Sequence, residues 1–111
     1  MKTTWDVSGR RVLVTGASSG LGLAMAQALA RAGARVALGG RDDDRLAQAL
    51  NTIVDAAGEV RLVQIDVRDT ASITRAVTAL DDAWGGLDIL INNAGLGRAV
   101  NPAFLSDPQP F

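Results

Sequence analysis

Gly16, Gly20 and Gly22 stand in the order G-x-x-x-G-x-G directly after Val12-Leu13-Val14-Thr15. Glycine lets the backbone turn sharply and lets a ligand lie close against it. A helix that begins at such a turn offers unpaired N–H groups and the positive end of its dipole to an anion. A buried strand, a glycine turn and a helix start in immediate succession outline a site for the pyrophosphate of a dinucleotide. The plainer reading is a turn that joins strand to helix and binds nothing. One glycine would favour that reading, whereas three at this spacing favour a ligand. A P-loop would end in Gly-Lys-Ser/Thr, and no such lysine follows. The spacing also departs from G-x-G-x-x-G. A second candidate stands at Leu38-Gly39-Gly40-Arg41. At the end of a second strand a carboxylate accepts from a ribose 2′-OH, and an arginine instead suits a 2′-phosphate. Gly40 leaves room there, and the Arg41 guanidinium favours the phosphate. Two alternatives stay open: Asp42 could engage a 2′-OH, and Arg41 could pair with a neighbouring aspartate.

The elements that must position these residues follow from the alternation of short apolar runs with longer segments of helical period. That pattern is the mark of βα units around a parallel sheet buried on both faces. Strands are expected at 11–15, 35–39, 60–65 and 87–92, and helices at 20–32, 43–57 and 70–84. The first helix has Leu21, Met25, Ala28, Leu29 and Ala32 on one broad face, with Gly33 as its left-handed stop. The second carries Leu46, Leu50, Ile53, Val54 and Ala57, ends at Gly58, and has Asp42 as its cap, with Asp43 and Asp44 complementing the dipole. These carboxylates read as structural rather than catalytic. The third sets Ile73, Val77, Leu80 and Trp84 behind an Asp69 cap and stops at Gly85-Gly86. Residues 96–111, with Asn101-Pro102 and Pro108-Gln109-Pro110, read as an irregular loop.

Composition narrows the function further. The chain has 111 residues, 48% apolar and 21% charged, which bounds it at one α/β domain. A net charge of −1 with interspersed signs gives no reason to expect nucleic acid or an anionic membrane as partner. The start lacks an apolar leader and no span is long enough to cross a bilayer, so the cytoplasm is the expected setting. With no cysteine and no histidine, there is no thiolate nucleophile, no thiolate metal site and no imidazole base. Tyrosine is also absent and Lys2 is the only lysine, so no metal site and no catalytic residue is expected in this chain.

Thr15-Gly16-Ala17-Ser18-Ser19-Gly20-Leu21-Gly22 resembles the cofactor fingerprint of the short-chain dehydrogenases/reductases. Leu87-Asp88-Ile89-Leu90-Ile91-Asn92-Asn93-Ala94-Gly95 resembles the family's strand-four segment, at the family's usual distance, with Asp66-Val67 between the two blocks. The likeness covers roughly residues 8–97 and implies a Rossmann-like doubly wound sheet, βαβαβαβ in the order 3-2-1-4. It further implies that Gly16, Ser18, Ser19, Gly20, Leu21 and Gly22 surround the pyrophosphate and adjoining ribose, so that Gly20→Val blocks the cofactor without necessarily unfolding the domain. Asp66 would meet the adenine amino group, its alternative being a polar strand end, and Val67 would cover the ring. Asn92 would tie strand four to its neighbours, and the backbone of Asn93, Ala94 and Gly95 would pass the ribose. With Arg41, NADP(H) is favoured and NAD(H) remains possible.

Members of the family also use a Ser, a Tyr-x-x-x-Lys and a further Asn, none of which falls in this chain. The resemblance therefore implies the amino-terminal, cofactor-binding part of an oxidoreductase about twice this length, inactive alone. That enzyme would act on a carbonyl or alcohol substrate and would commonly be a homo-oligomer. Strand 87–92 would be left as an exposed edge prone to association. The alternatives are a natural short nucleotide-binding protein without catalysis and a module that binds no nucleotide.

Overall fold

The computed structural model describes residues 6–93. The element order is β1 (Arg11–Thr15), α1 (Gly20–Arg31), β2 (Arg35–Gly40), α2 (Asp43–Asn51), β3 (Val60–Gln64), α3 (Thr70–Trp84) and β4 (Ile89–Asn92). The four strands form one parallel sheet in the order β3-β2-β1-β4, as expected from the sequence. Ala94, Gly95 and the loop expected at 96–111 lie outside the described residues.

Because side chains alternate across a strand, β1 feeds two cores. Val12 and Val14 join Val36, Leu38, Ala26, Ala30, Leu46 and Ala49 beneath α1 and α2. Leu13 points the other way and joins Ala37, Val63, Ile65, Ala76, Leu80 and Trp84 beneath α3. Burying an aliphatic side chain of this size contributes about 1.5–3 kcal/mol, so Leu13, Leu38, Leu46 and Leu80, all fully buried, are major holding points. On the edge strand β4, Leu90 is 58% exposed, in line with the expected bare edge.

Three expectations need correction. The face that α1 buries is Gly22, Ala26 and Ala30, whereas Leu21 is 61% exposed. Small residues turn inward there because the helix lies close on the sheet. Helix α2 ends at Asn51 rather than 57. Thr52 closes it by donating from Oγ1 to the Ala49 carbonyl (2.7 Å), and the chain then crosses to α1, where Ala57 N donates to the Ala30 carbonyl (2.9 Å). Val54 is consequently 77% exposed, and Gly58 lies against the Ala34 carbonyl, away from the helix end. In α3 the buried line is Ser72, Ala76, Leu80 and Trp84, with Ile73 half-buried and Val77 45% exposed. Ser72 faces inward because its Oγ accepts from Asp66 N at 2.8 Å. The caps by Asp42 and Asp69, the left-handed Gly33 and the stop of α3 at Gly85 are as expected.

Candidate functional site: a glycine turn at the carboxyl ends of the strands

The chain leaves β1 through Gly16 at φ +64° and enters α1 through Gly20 at φ +59°, both in the left-handed region that side chains disfavour. A Cβ on Gly20 would meet nothing within 4 Å, so open space lies before it. Gly22 differs. A Cβ there would lie 2.6 Å from Asn93 Nδ2 and closer still to the Gly16 carbonyl oxygen, so this glycine serves close packing inside the turn. Ala17 is fully buried and anchors the turn to β2 through Ala17 N donating to the Gly39 carbonyl (3.1 Å).

The three helix starts are not alike. In α2, Asp42 Oδ1 accepts from Asp44 N at 3.0 Å and Arg45 N at 3.2 Å, with Asp43 and Asp44 in the first turn. In α3, Asp69 Oδ1 accepts from Ala71 N at 3.0 Å. In α1 the extended Ser19 makes no side-chain cap bond and no acidic residue stands in the first turn. The first N–H groups of a helix need partners from outside it. Where neither a cap nor a carboxylate satisfies them, the positive end of the dipole is open to an anion.

β4 shapes this turn from the side. Thr15 Oγ1 donates to Asn92 Oδ1 (3.0 Å) and accepts from Asn93 N (2.9 Å), and Asn93 Nδ2 donates to the Gly16 carbonyl (3.3 Å). Asn92 therefore ties strands together, as the resemblance implied. Asn93 also acts through its side chain, a role the sequence reading missed. That side chain is buried, and its Oδ1 has no hydrogen-bond partner among the described residues.

The other expected residues follow the ends of β2 and β3. Arg41 is exposed, and its guanidinium makes no hydrogen bond or ion pair among the described residues; its carbonyl accepts from Gln64 Nε2 at 3.2 Å. Asp42, committed to its helix, is the cap and not the partner of Arg41. Asp66 accepts from Arg68 N (3.0 Å), Nε (3.2 Å) and Nη2 (3.3 Å). The Arg68 side chain, its backbone N–H and the more distant Arg41 charge hold this carboxyl below the usual range, so it stays an ionised acceptor. An aspartate two residues before an arginine was the available signal for that pair. Val67 is half-buried beside it. Gly16, Ser18, Ser19, Gly20, Leu21, Arg41, Asp66, Val67 and Asn93 thus gather at the carboxyl ends of the strands, where open α/β sheets bind ligands. A recess of about 560 Å³ among Arg10, Arg11, Arg35, Trp84 and Asp88 lies at the opposite end and shares no residue with the turn.

Among curated proteins, the chain is 42% identical over 94 residues to gluconate 5-dehydrogenase of Gluconobacter oxydans, covering 85% of this chain and 37% of that protein. It is 41% identical over 90 residues to ketoacyl reductase HetN of Nostoc, covering 81% of this chain and 31% of the relative. The chain spans about a third of the length of such relatives. Among solved structures, L-sorbose reductase of Gluconobacter frateurii, complexed with NADPH and L-sorbose, superposes with a TM-score of 0.77 at 35% identity, covering 89% of this chain and 39% of that one. An NADH-dependent reductase complexed with NAD gives 0.72 at 38% identity, covering 89% of this chain and 44% of the other. The family model for short chain dehydrogenase matches residues 10–111, and with the sheet order and the glycine turn in place the chain belongs to that family, as its amino-terminal portion.

Proposed function

We propose that this chain is the nucleotide-binding portion of an NADP(H)-dependent oxidoreductase that acts on a carbonyl or alcohol substrate. The observation that carries the reading is the uncapped start of α1 behind a left-handed Gly20 with open space before it. Its residues fit a dinucleotide: the first turn of α1 would receive the pyrophosphate, Asp66 would accept from the adenine amino group and Val67 would cover the ring, while the resemblance assigns Asn93, Ala94 and Gly95 to the border of a ribose. When bound, the nicotinamide donates or accepts the hydride. This chain binds and orients it, while the proton transfer expected of a Tyr-x-x-x-Lys falls to residues outside this sequence, as do most of the substrate pocket and a homo-oligomer interface. The relatives divide between NADPH and NAD. Here the Arg41 guanidinium, without a partner among the described residues, beside a committed Asp42 favours the 2′-phosphate.

Calorimetric titration of the full chain with NADP⁺ and NAD⁺ tests this. NADP⁺ is expected to bind more tightly, and Arg41→Ala to remove roughly tenfold or more of that preference, as loss of a charge-assisted hydrogen bond implies. Binding of neither nucleotide, or a preference untouched by Arg41→Ala, sinks the reading.

A further inference from the structure

We propose that Gln64 is a positioning residue for the 2′-phosphate: it holds the corner between β2 and α2 so that Arg41 is presented to the ligand. This rests on the dinucleotide reading above. The corner is pinned at three successive residues. The Gly40 carbonyl accepts from Ile65 N (2.9 Å), the Arg41 carbonyl accepts from Gln64 Nε2 (3.2 Å), and the Asp42 carboxylate closes the first turn of α2. A Cβ at Gly40 would meet Leu46 Cδ2 at 3.1 Å, so the end of β2 lies close on a buried side chain of α2. The first tie is backbone to backbone and the third is a cap within α2, so the middle one is the only side-chain bond of the three that reaches the corner from another element.

That side chain has no evident structural duty. Gln64 is the exposed last residue of β3, and among the described residues the tie to Arg41 is its one side-chain hydrogen bond. Arg41 is held by its backbone while its guanidinium stays unengaged among the described residues. The nearby Asp66, which could have captured it, is already occupied by Arg68. A guanidinium recognises phosphate through two parallel N–H bonds of fixed geometry, so its value depends on where its own backbone is held. Freeing the Arg41 peptide should therefore cost 2′-phosphate recognition and little else.

The test uses the full chain, calorimetry, and two probes that differ by one group: adenosine 2′,5′-bisphosphate and 5′-AMP. Gln64→Met keeps the length of the side chain and removes the donor. Affinity for the bisphosphate is expected to fall about threefold, the low end for one exposed hydrogen bond, with AMP affinity and melting temperature unchanged. In an Arg41→Ala background, Gln64→Met is expected to change neither affinity. An unchanged ratio overturns the inference, as does an equal loss for both probes or the same loss without Arg41. A wild-type chain that binds neither probe overturns the nucleotide reading itself, and one that binds both equally overturns the NADP preference, so these failures are distinguishable from that of Gln64 alone.

Discussion

Gly20 and Gly22, two residues apart, are glycine for opposite reasons. Gly20 needs its left-handed φ and faces open space, whereas Gly22 needs the absence of a side chain against Asn93 and the Gly16 carbonyl. Gly22→Ala is therefore expected to lose about 3 kcal/mol of stability, because the carbonyl it meets is backbone and yields poorly. Gly20→Ala should cost only roughly 1–2 kcal/mol for the left-handed conformation, and it should weaken NADP⁺ binding by filling the space in front of the turn. Urea unfolding of both variants, with nucleotide titration of the second, separates the roles; equal destabilisation with unaltered binding would contradict them. Gly20→Val is a poorer probe than the sequence suggests, since a β-branched residue at φ +59° is strained whether or not a ligand is present. The spacing of the glycines is legible in the sequence because local chain geometry demands it. The buried side chain of Asn93 is not, because its partner Gly16 lies 77 residues away in the chain, beside the end of the neighbouring strand.

The helix starts carry a prediction of their own. Asp42→Ala removes a cap that bonds two N–H groups and is expected to cost about 1 kcal/mol, while Ser19→Ala, which removes no cap bond, should stay within roughly 0.5 kcal/mol of wild type. Thermal or urea unfolding decides it, and an equal loss at the two positions would show that α1 is capped after all. Both Asp caps and the span of α3 were readable because a short acceptor before a periodic run has few other uses. The phase of α1 was not. Alanine and leucine surround that helix, so periodicity cannot choose a face, and the choice of Gly22, Ala26 and Ala30 comes from how near the sheet lies. The length of α2 was equally hidden: Leu50, Ile53, Val54 and Ala57 continue a helical pattern, but Thr52 and the bond from Ala57 to Ala30 divert the chain toward α1.

Across the whole molecule, β4 is joined to β1 at both ends, by the Thr15 and Asn93 bonds at one and by Arg11 with Asp88 at the other. Arg11 donates from Nε to Asp88 Oδ2 and from Nη2 to Oδ1, each at 3.0 Å, and from its backbone N to Oδ2 at 2.9 Å. The Arg11 side chain, then its backbone N–H, hold the Asp88 carboxyl far below the ordinary carboxylate range. A folded-state pKa below the unfolded one adds stability that is complete above the unfolded value and is lost as pH falls toward the folded value. The gap in urea midpoint between wild type and Asp88→Asn should thus hold from pH 7 to about 5 and narrow below about pH 4. A gap that widens on acidification would reverse the assignment. The partners in these ties are 77 and 78 residues apart in the chain, which also sets a sequence of events. A loop that long closes late, after β1 and β2 have paired across a single helix. On the ribosome, then, the glycine turn emerges 77 residues before Asn93 and cannot take its final shape until Asn93 has cleared the exit tunnel; over that stretch of synthesis the nascent chain carries a turn that is written but not yet assembled.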